Sequence, residues 1–336
     1  MMKTGPVLLI IIVAMAFQSC FKKDEMVPAH PRENLITDTI PMTENYLYQV
    51  YYSVDSGRIV SSNVKTLFDL GFECSQAGWH VILNTSNFMK VADLGEVAFG
   101  QPHDTTGMKL RFDKSDGNSD STAIGQWFTI SGSDTVSNNH VYAISRGLDE
   151  LGNPLGVYQL IFDSLKNNSF YFRYAPLKGG TVSYGKVTKN AEVNYLYFSL
   201  KTGAVISVEP PRQTYDMLFT QYTTLLYTDQ GVPYPYLVTG VLVNRGQVEV
   251  VADSTADFFG ITHEQAVTMN YSKALDAIGY DWKFYSFASG VYTIRPKVHY
   301  IIHSVSGQYF KLRFVGFYNK DGLKGYPMIE YQKLSL

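Results

Sequence analysis

Seven histidines, ten methionines and two cysteines are the side chains in this 336-residue chain that could take part in metal or nucleophilic chemistry. None falls into a motif that would group them. There is no Gly-x-x-x-x-Gly-Lys-Ser/Thr loop to cradle phosphates and no His-Glu-x-x-His helix to hold zinc. Cys20 and Cys74 are too far apart to form a paired zinc knuckle. Thr181-Val182-Ser183-Tyr184-Gly185 lacks the leading glycine of a nucleophile elbow and reads as a strand and a turn. Asp113 to Asp120 is rich in calcium-type oxygens. Counted from Asp116, however, position six is Ser121 and position twelve is Trp127, where an EF-hand needs Gly and Glu, so the run reads as a solvated loop. No pair of carboxylates stands out for acid-base work, and no enzyme is expected.

The elements that position these groups must come from a chain that is 45% hydrophobic, 14% aromatic and 17% charged. Such a composition excludes intrinsic disorder, and two cysteines exclude a disulfide-stapled scaffold. Lys and Arg (28) nearly balance Asp and Glu (30), so no basic field is available for nucleic acid. The length corresponds to about two domains.

Lys3 precedes an apolar run from Val7 to Phe17, long enough for a signal-peptide core and too short to span a bilayer. The run ends in Phe17-Gln18-Ser19-Cys20, which resembles the lipobox of bacterial lipoproteins. Residues 1–19 are then a signal peptide and Cys20 the lipidated first residue of the mature chain. The alternative is an ordinary signal peptide cleaved elsewhere, leaving Cys20 free. Phe21-Lys22-Lys23-Asp24-Glu25 resembles the surface-export signal of Bacteroidetes lipoproteins, and residues 20–44, with Pro28, Pro31 and Pro41, read as a tether. The expected location is the outer membrane, lipid-anchored and exposed at the cell surface. With Cys20 acylated, Cys74 is expected as a buried, inert thiol in a strand.

The body of the chain is written twice. Tyr51 to Ser61 matches Tyr197 to Ser207 at a constant offset of 146, and each copy reads as a hairpin whose turn contains a glycine, Gly57 or Gly203. Phe68-Asp69-Leu70-x-Phe72 answers Tyr215-Asp216-Met217-x-Phe219. Trp127 answers Trp282, Val141-Tyr142-Ala143-Ile144 answers Val291-Tyr292-Thr293-Ile294, and Tyr158, Leu160, Phe162 answer Phe310, Leu312, Phe314. Alternation of Tyr, Phe, Val and Ile between Gly, Asn, Asp and Ser predicts an all-β, antiparallel fold with few short helices. Two homologous domains in tandem are expected, 45–190 and 191–336. One helix is predicted from Thr262, with a capping box to Gln265 and an apolar stripe through Ala266, Met269, Tyr271, Ala274 and Ile278.

The Tyr-rich hairpin, the strand Phe68-Asp69-Leu70-Gly71-Phe72, the run Trp79-His80-Val81-Ile82-Leu83-Asn84 and the late strand Tyr309 to Phe314 resemble the HmuY-type haem-binding lipoproteins. Phe68 and Tyr215 replace that family's usual Trp. The resemblance implies haem captured at the cell surface and passed to a TonB-dependent outer-membrane receptor. The haem iron would be held by two side chains from loops, a His pair or Met. His103 and His140, both at loop positions, form the first candidate pair, with His80, His299, His303 and Met108 behind them and Met89 in reserve. His299 and His303 sit four apart in a strand, about 13 Å by its ~3.3 Å rise per residue, and cannot share one iron without a bulge. His30 lies in the tether and His263 at a helix start. No histidine recurs in the other copy, His140 being aligned with Gly290, so two symmetric haem sites are not expected. The rival reading is a non-enzymatic surface lipoprotein that binds a glycan or a protein through aromatic platforms. A spacer without a small ligand is a third.

Overall fold

The computed structural model describes residues 34–131 and 134–335. The expected signal peptide, Cys20 and His30 lie outside the described residues. Among those described are twenty-two strands and one short α-helix, and every named strand pairing is antiparallel. The fold is all-β, as expected. Strand Ser169–Pro176 shows why, since its alternate residues Phe170, Phe172 and Tyr174 face one core.

Two five-stranded sheets carry the two main cores. The first has Val141–Ser145, Val157–Lys166 and Ser169–Pro176 at its centre, flanked by Lys90–Asp93 and Ser183–Thr188. The second has His299–His303, Tyr309–Tyr318 and Lys324–Lys333, flanked by Glu249–Asp253 and Ile36–Thr39. The end of the stretch that reads as tether therefore contributes an edge strand, paired with Lys324–Lys333 from Ile36 to Thr39. Ile40 and Met42 follow it into the second core.

The repeated residues occupy matching places. Trp127 stacks on Phe162 at 4.7 Å and Trp282 on Phe314 at 3.9 Å. One anchor of the repeat is corrected. Val141–Ser145 lies inside the first sheet, whereas Val291–Ile294 pairs only with Lys283–Ser286 in a separate hairpin. Hydrogen-bond register instead sets Tyr142, opposite Leu160, against Tyr300, opposite Leu312. Two short β-rich runs resemble each other whatever they pair with, and only pairing separates them. His140 thus answers Val298, and still no histidine is repeated.

The two copies exchange their opening hairpins. Strand Tyr48–Ser53 of the first copy pairs with Met217–Tyr227 of the second, Tyr52 opposite Met217. Strand Tyr195–Ser199 of the second pairs with Leu70–Glu73 of the first, Phe198 opposite Leu70. Val50, Tyr52 and Val54 accordingly belong to the core built by residues 217–331, and Phe198 and Leu200 to the one built by 70–187. The turn glycines repeat the relation. Both have positive φ, and a Cβ on Gly57 would lie 2.9 Å from the Tyr331 hydroxyl, one on Gly203 2.7 Å from that of Tyr174.

Each exchanged hairpin is tied down by the repeated aspartate. Asp69 accepts the Leu200 N–H at 2.7 Å, and Asp216 accepts the Val54 N–H at 2.9 Å. Both carboxylates are fully buried, but Asp69 also receives Arg146 Nε at 2.8 Å, while Asp216 receives a second backbone N–H, from Val305, and the Ser53 side chain, with no cation. Burial lifts Asp216 from 3.8 to about 6. The folded state therefore holds this proton more tightly than the unfolded chain. Its stabilising contribution is complete below about pH 4 and lost as pH rises through 6. Asp216→Asn is expected to flatten that limb of a plot of urea midpoint against pH; an unchanged slope would show that another group carries it.

The predicted helix is present but shorter. Thr262 and Gln265 form the capping box, and the helix runs only from His263 to Val267. Beyond it the backbone is drawn into sheet-like bonds, Ser272 exchanging two with Val250 and Leu275 accepting from Val243. A stripe at helical spacing from Met269 to Ile278 serves packing without continuing the helix.

Candidate functional site

The candidate iron ligands divide between the outer faces of the two sheets. On the first, residues 94–111 run as a loop over Ala92, Ala143 and Leu177, with Met108 packed into that cluster. The loop is pinned where Gly100 N–H donates to Gln159 Oε1 at 2.7 Å and Gln159 Nε2 returns a bond to the Gln101 carbonyl at 3.0 Å. His103 is held through its backbone N–H on the Leu177 carbonyl and pairs its ring Nε2 with the Ala98 carbonyl at 3.1 Å. His140 sits at the root of the same loop, where Leu94 and Gly95 bond Val141. Its Nδ1 lies 3.0 Å from Asp93 Oδ2, and a third of the side chain is exposed. A carboxylate on Nδ1 orients an imidazole so that Nε2 points outward as a donor.

The pairing register puts Leu177 level with Ser145, five residues from His140, a separation of about 16 Å at ~3.3 Å per residue. The structure therefore holds His103 at the level of Leu177, away from His140, and packs Met108 on the Ala92, Ala143 and Leu177 cluster.

On the second sheet, His299 is buried, with Nε2 3.3 Å from Asp253 Oδ2 and its ring edge-on to Phe258. His303 stacks on Tyr309 at 4.7 Å. Their strand pairs on both sides without a register shift, so the separation expected from the sequence stands. His80 stacks on Trp79 at 3.9 Å and holds Glu73 Oε2 at 2.5 Å through Nδ1, with Nε2 buried and unpartnered. Met89 is core. Cys74 is buried just past strand Leu70–Glu73, and burial pushes its thiol upward, as an inert thiol requires. Asp113 departs from the solvated loop expected of it: it is buried, accepting the N–H groups of Leu83 and Ala123 at 2.6 Å. Among the described residues, no group of three or more His, Cys, Asp or Glu is placed to hold a metal ion.

A feature that sequence reasoning missed lies where the exchanged hairpins meet. Tyr51 faces its repeat partner Tyr197, and Phe68 its partner Tyr215, around a cavity of about 120 Å³. Tyr51 and Tyr215 meet edge to face at 5.0 Å, and Phe68 and Tyr197 meet at a tilt at 4.3 Å. Asn84 and Asn244 brace it equivalently. Asn84 Nδ2 donates to the carbonyls of Lys65 and Phe68, and Asn244 Nδ2 to those of Arg212 and Tyr215. The signal was present in Val81-Ile82-Leu83-Asn84 and Val241-Leu242-Val243-Asn244.

This cavity is below the ~300–1,000 Å³ of ordinary ligand pockets. Its lining contains no His or Met, and burial holds Tyr197, Tyr215 and Tyr222 well above 10, so no phenolate is on hand to bind iron near neutrality. The axis cavity does not fit haem. The donors around loop 94–111, imidazole and thioether beside an apolar face, do fit the chemistry of haem iron.

The sequence matches the family model described as HmuY protein over residues 45–331, across both copies. The chain belongs to the HmuY family. This is a family of haem-binding type, made of binding proteins and not of enzymes. No curated protein matches the chain. Among solved structures, it is similar to apo PinO from Porphyromonas gingivitis at 9% identity and a TM-score of 0.37, covering 90% of this chain and 97% of that one. It is also similar to the apo HmuY analog TFO of Tannerella forsythia at 8% identity and a TM-score of 0.26, covering 90% and 96%.

Proposed function

We propose that this chain is a surface-exposed outer-membrane lipoprotein, acylated at Cys20, that binds haem for iron acquisition and delivers it to a TonB-dependent receptor. The observation that carries the reading is the HmuY match, which runs through nearly all of the described body. The proposed site is the outer face of the first sheet. His140, oriented by Asp93, supplies one axial ligand, and the loop 94–111 supplies the other, His103 first and Met108 second. For His103 to reach the same iron, the loop has to move along the sheet toward His140.

Haemin titration of the chain beginning after Cys20 tests this. A saturable Soret band is expected, lost or shifted in His140→Ala, with His103→Ala and Met108→Leu identifying the loop ligand. Absence of a Soret change in the unsubstituted chain would overturn the reading. A second reading rests on exposed rings on the hairpins, Phe287 (92%), Tyr227 (65%) and Tyr236 (52%), which suit a glycan or protein surface. Glycan-array binding with no haemin response would favour it.

A further inference from the structure

We propose that the axis cavity is a second, haem-independent site that binds a small monocyclic aromatic carboxylate. The inner walls are Tyr51, Phe68, Tyr197, Leu218 and Tyr222, a ring-lined space formed only because the two hairpins are exchanged. At about 120 Å³ it compares with the ~150 Å³ engineered cavity that takes up benzene, so one ring fits and a porphyrin does not.

The charged groups select the ligand's sign. Two acids line the cavity, and both are committed to the protein. Glu209 accepts the backbone N–H groups of Asn194 and Tyr195, the Asn194 amide and the Tyr215 hydroxyl. Asp113 spends one oxygen on Leu83 and the other on Ala123. Neither is left to capture an organic cation.

Arg245 is the reverse case. It is half-buried on the cavity wall, over the Tyr195 ring at 5.3 Å and within electrostatic reach of Asp113, and its described hydrogen bond goes to the Gly117 carbonyl. A guanidinium has five N–H donors, enough to grip a carboxylate with two of the rest. Gly117 lets that side chain lie close: a Cβ there would be 3.0 Å from Arg245 Nη2 and 2.4 Å from the Leu275 side chain. Lys114 adds a second cation to the lining. One guanidinium matches one carboxylate, which points to a monocarboxylate, its ring among the tyrosines and its acid group on Arg245.

The test is calorimetric titration of the full mature chain with benzoate, benzamide and benzylammonium. Benzoate is expected to bind with a Kd on the order of 0.1–1 mM, the scale set by so few heavy atoms. Benzamide should bind at least ten-fold more weakly, and benzylammonium not at all. Arg245→Gln should cost ten-fold or more for benzoate alone, and Leu218→Trp, which fills the cavity, should abolish binding. Equal binding of benzoate and benzamide, preference for benzylammonium, no saturable heat with benzoate, or benzoate binding unaffected by Leu218→Trp would each overturn the proposal. Haemin titrations of the same variants should match the unsubstituted chain, which separates failure here from failure of the haem reading.

Discussion

Asp69→Ala is expected to lower folding stability by about 3–5 kcal/mol, the cost of breaking a buried ion pair from one side. Asp69 is fully buried and Arg146 nearly so. The arginine donates Nε to Asp69 at 2.8 Å and Nη1 to the Leu155 carbonyl at 2.8 Å. Without the carboxylate, a guanidinium stays buried with no counter-charge and the Leu200 N–H loses its acceptor. Burial outweighs the arginine and raises the Asp69 pKa, so the site is a costly place for a charge even when paired. Asp216→Ala provides the internal control. It orphans two backbone N–H groups but no arginine, and should cost about 1–3 kcal/mol. Replacing both partners, Asp69→Leu with Arg146→Met, should recover part of the loss. Urea unfolding of the three variants decides the matter, and equal losses for the two alanine variants would show that the ion pair adds nothing.

Lys283→Met is expected to stabilise the protein by about 2–4 kcal/mol at neutral pH, with the gain vanishing as pH approaches 10. The ammonium is buried, donating to the Thr239 carbonyl at 2.5 Å. Burial lowers the Lys283 pKa from 10.5 to about 7. Between those values the unfolded chain holds a proton that the folded chain releases. Stability therefore rises with pH through that window, and the penalty is complete below 7. Trp282, Phe317 and Tyr292 present their rings 4.1, 4.8 and 5.5 Å from Nζ, which offsets part of the cost, on the order of 0.5–2 kcal/mol per ring. The methionine fills similar volume and has no charge to desolvate. Thermal unfolding of both proteins from pH 7 to 9.5 should show the unsubstituted chain gaining on the variant. Parallel curves would mean that Lys283 does not titrate in this range.

The strands were legible because alternation of aromatic and β-branched residues is a local property. The repeat was legible because a constant offset needs no structure. Trp127 answers Trp282 and Phe162 answers Phe314 in that repeat, and each tryptophan stacks on the phenylalanine of its own half. The Val291–Ile294 anchor failed, since four residues of β-rich sequence do not name their partner strand. The helix overran for a related reason: Tyr271 and Ala274 lie at helical spacing, but backbone bonds to Val250 and Val243 compete for that stretch. The histidines were the least legible. Residue type marked them as donors, and only register showed that His103, held at Leu177, lies well away from His140.

By itself the sequence determined an all-β chain, a repeated hairpin and the absence of the enzymatic motifs sought, because these depend on composition, periodicity and local pattern, and its motifs resembled the family that the family model matches. The tertiary structure alone decided which copy each hairpin serves. The offset of 146 is the same whether Tyr52 packs on its own half or on the other, and the choice rests on pairing across more than a hundred residues. It also decided the axis cavity, since Tyr51, Tyr197 and Arg245 converge only after that exchange.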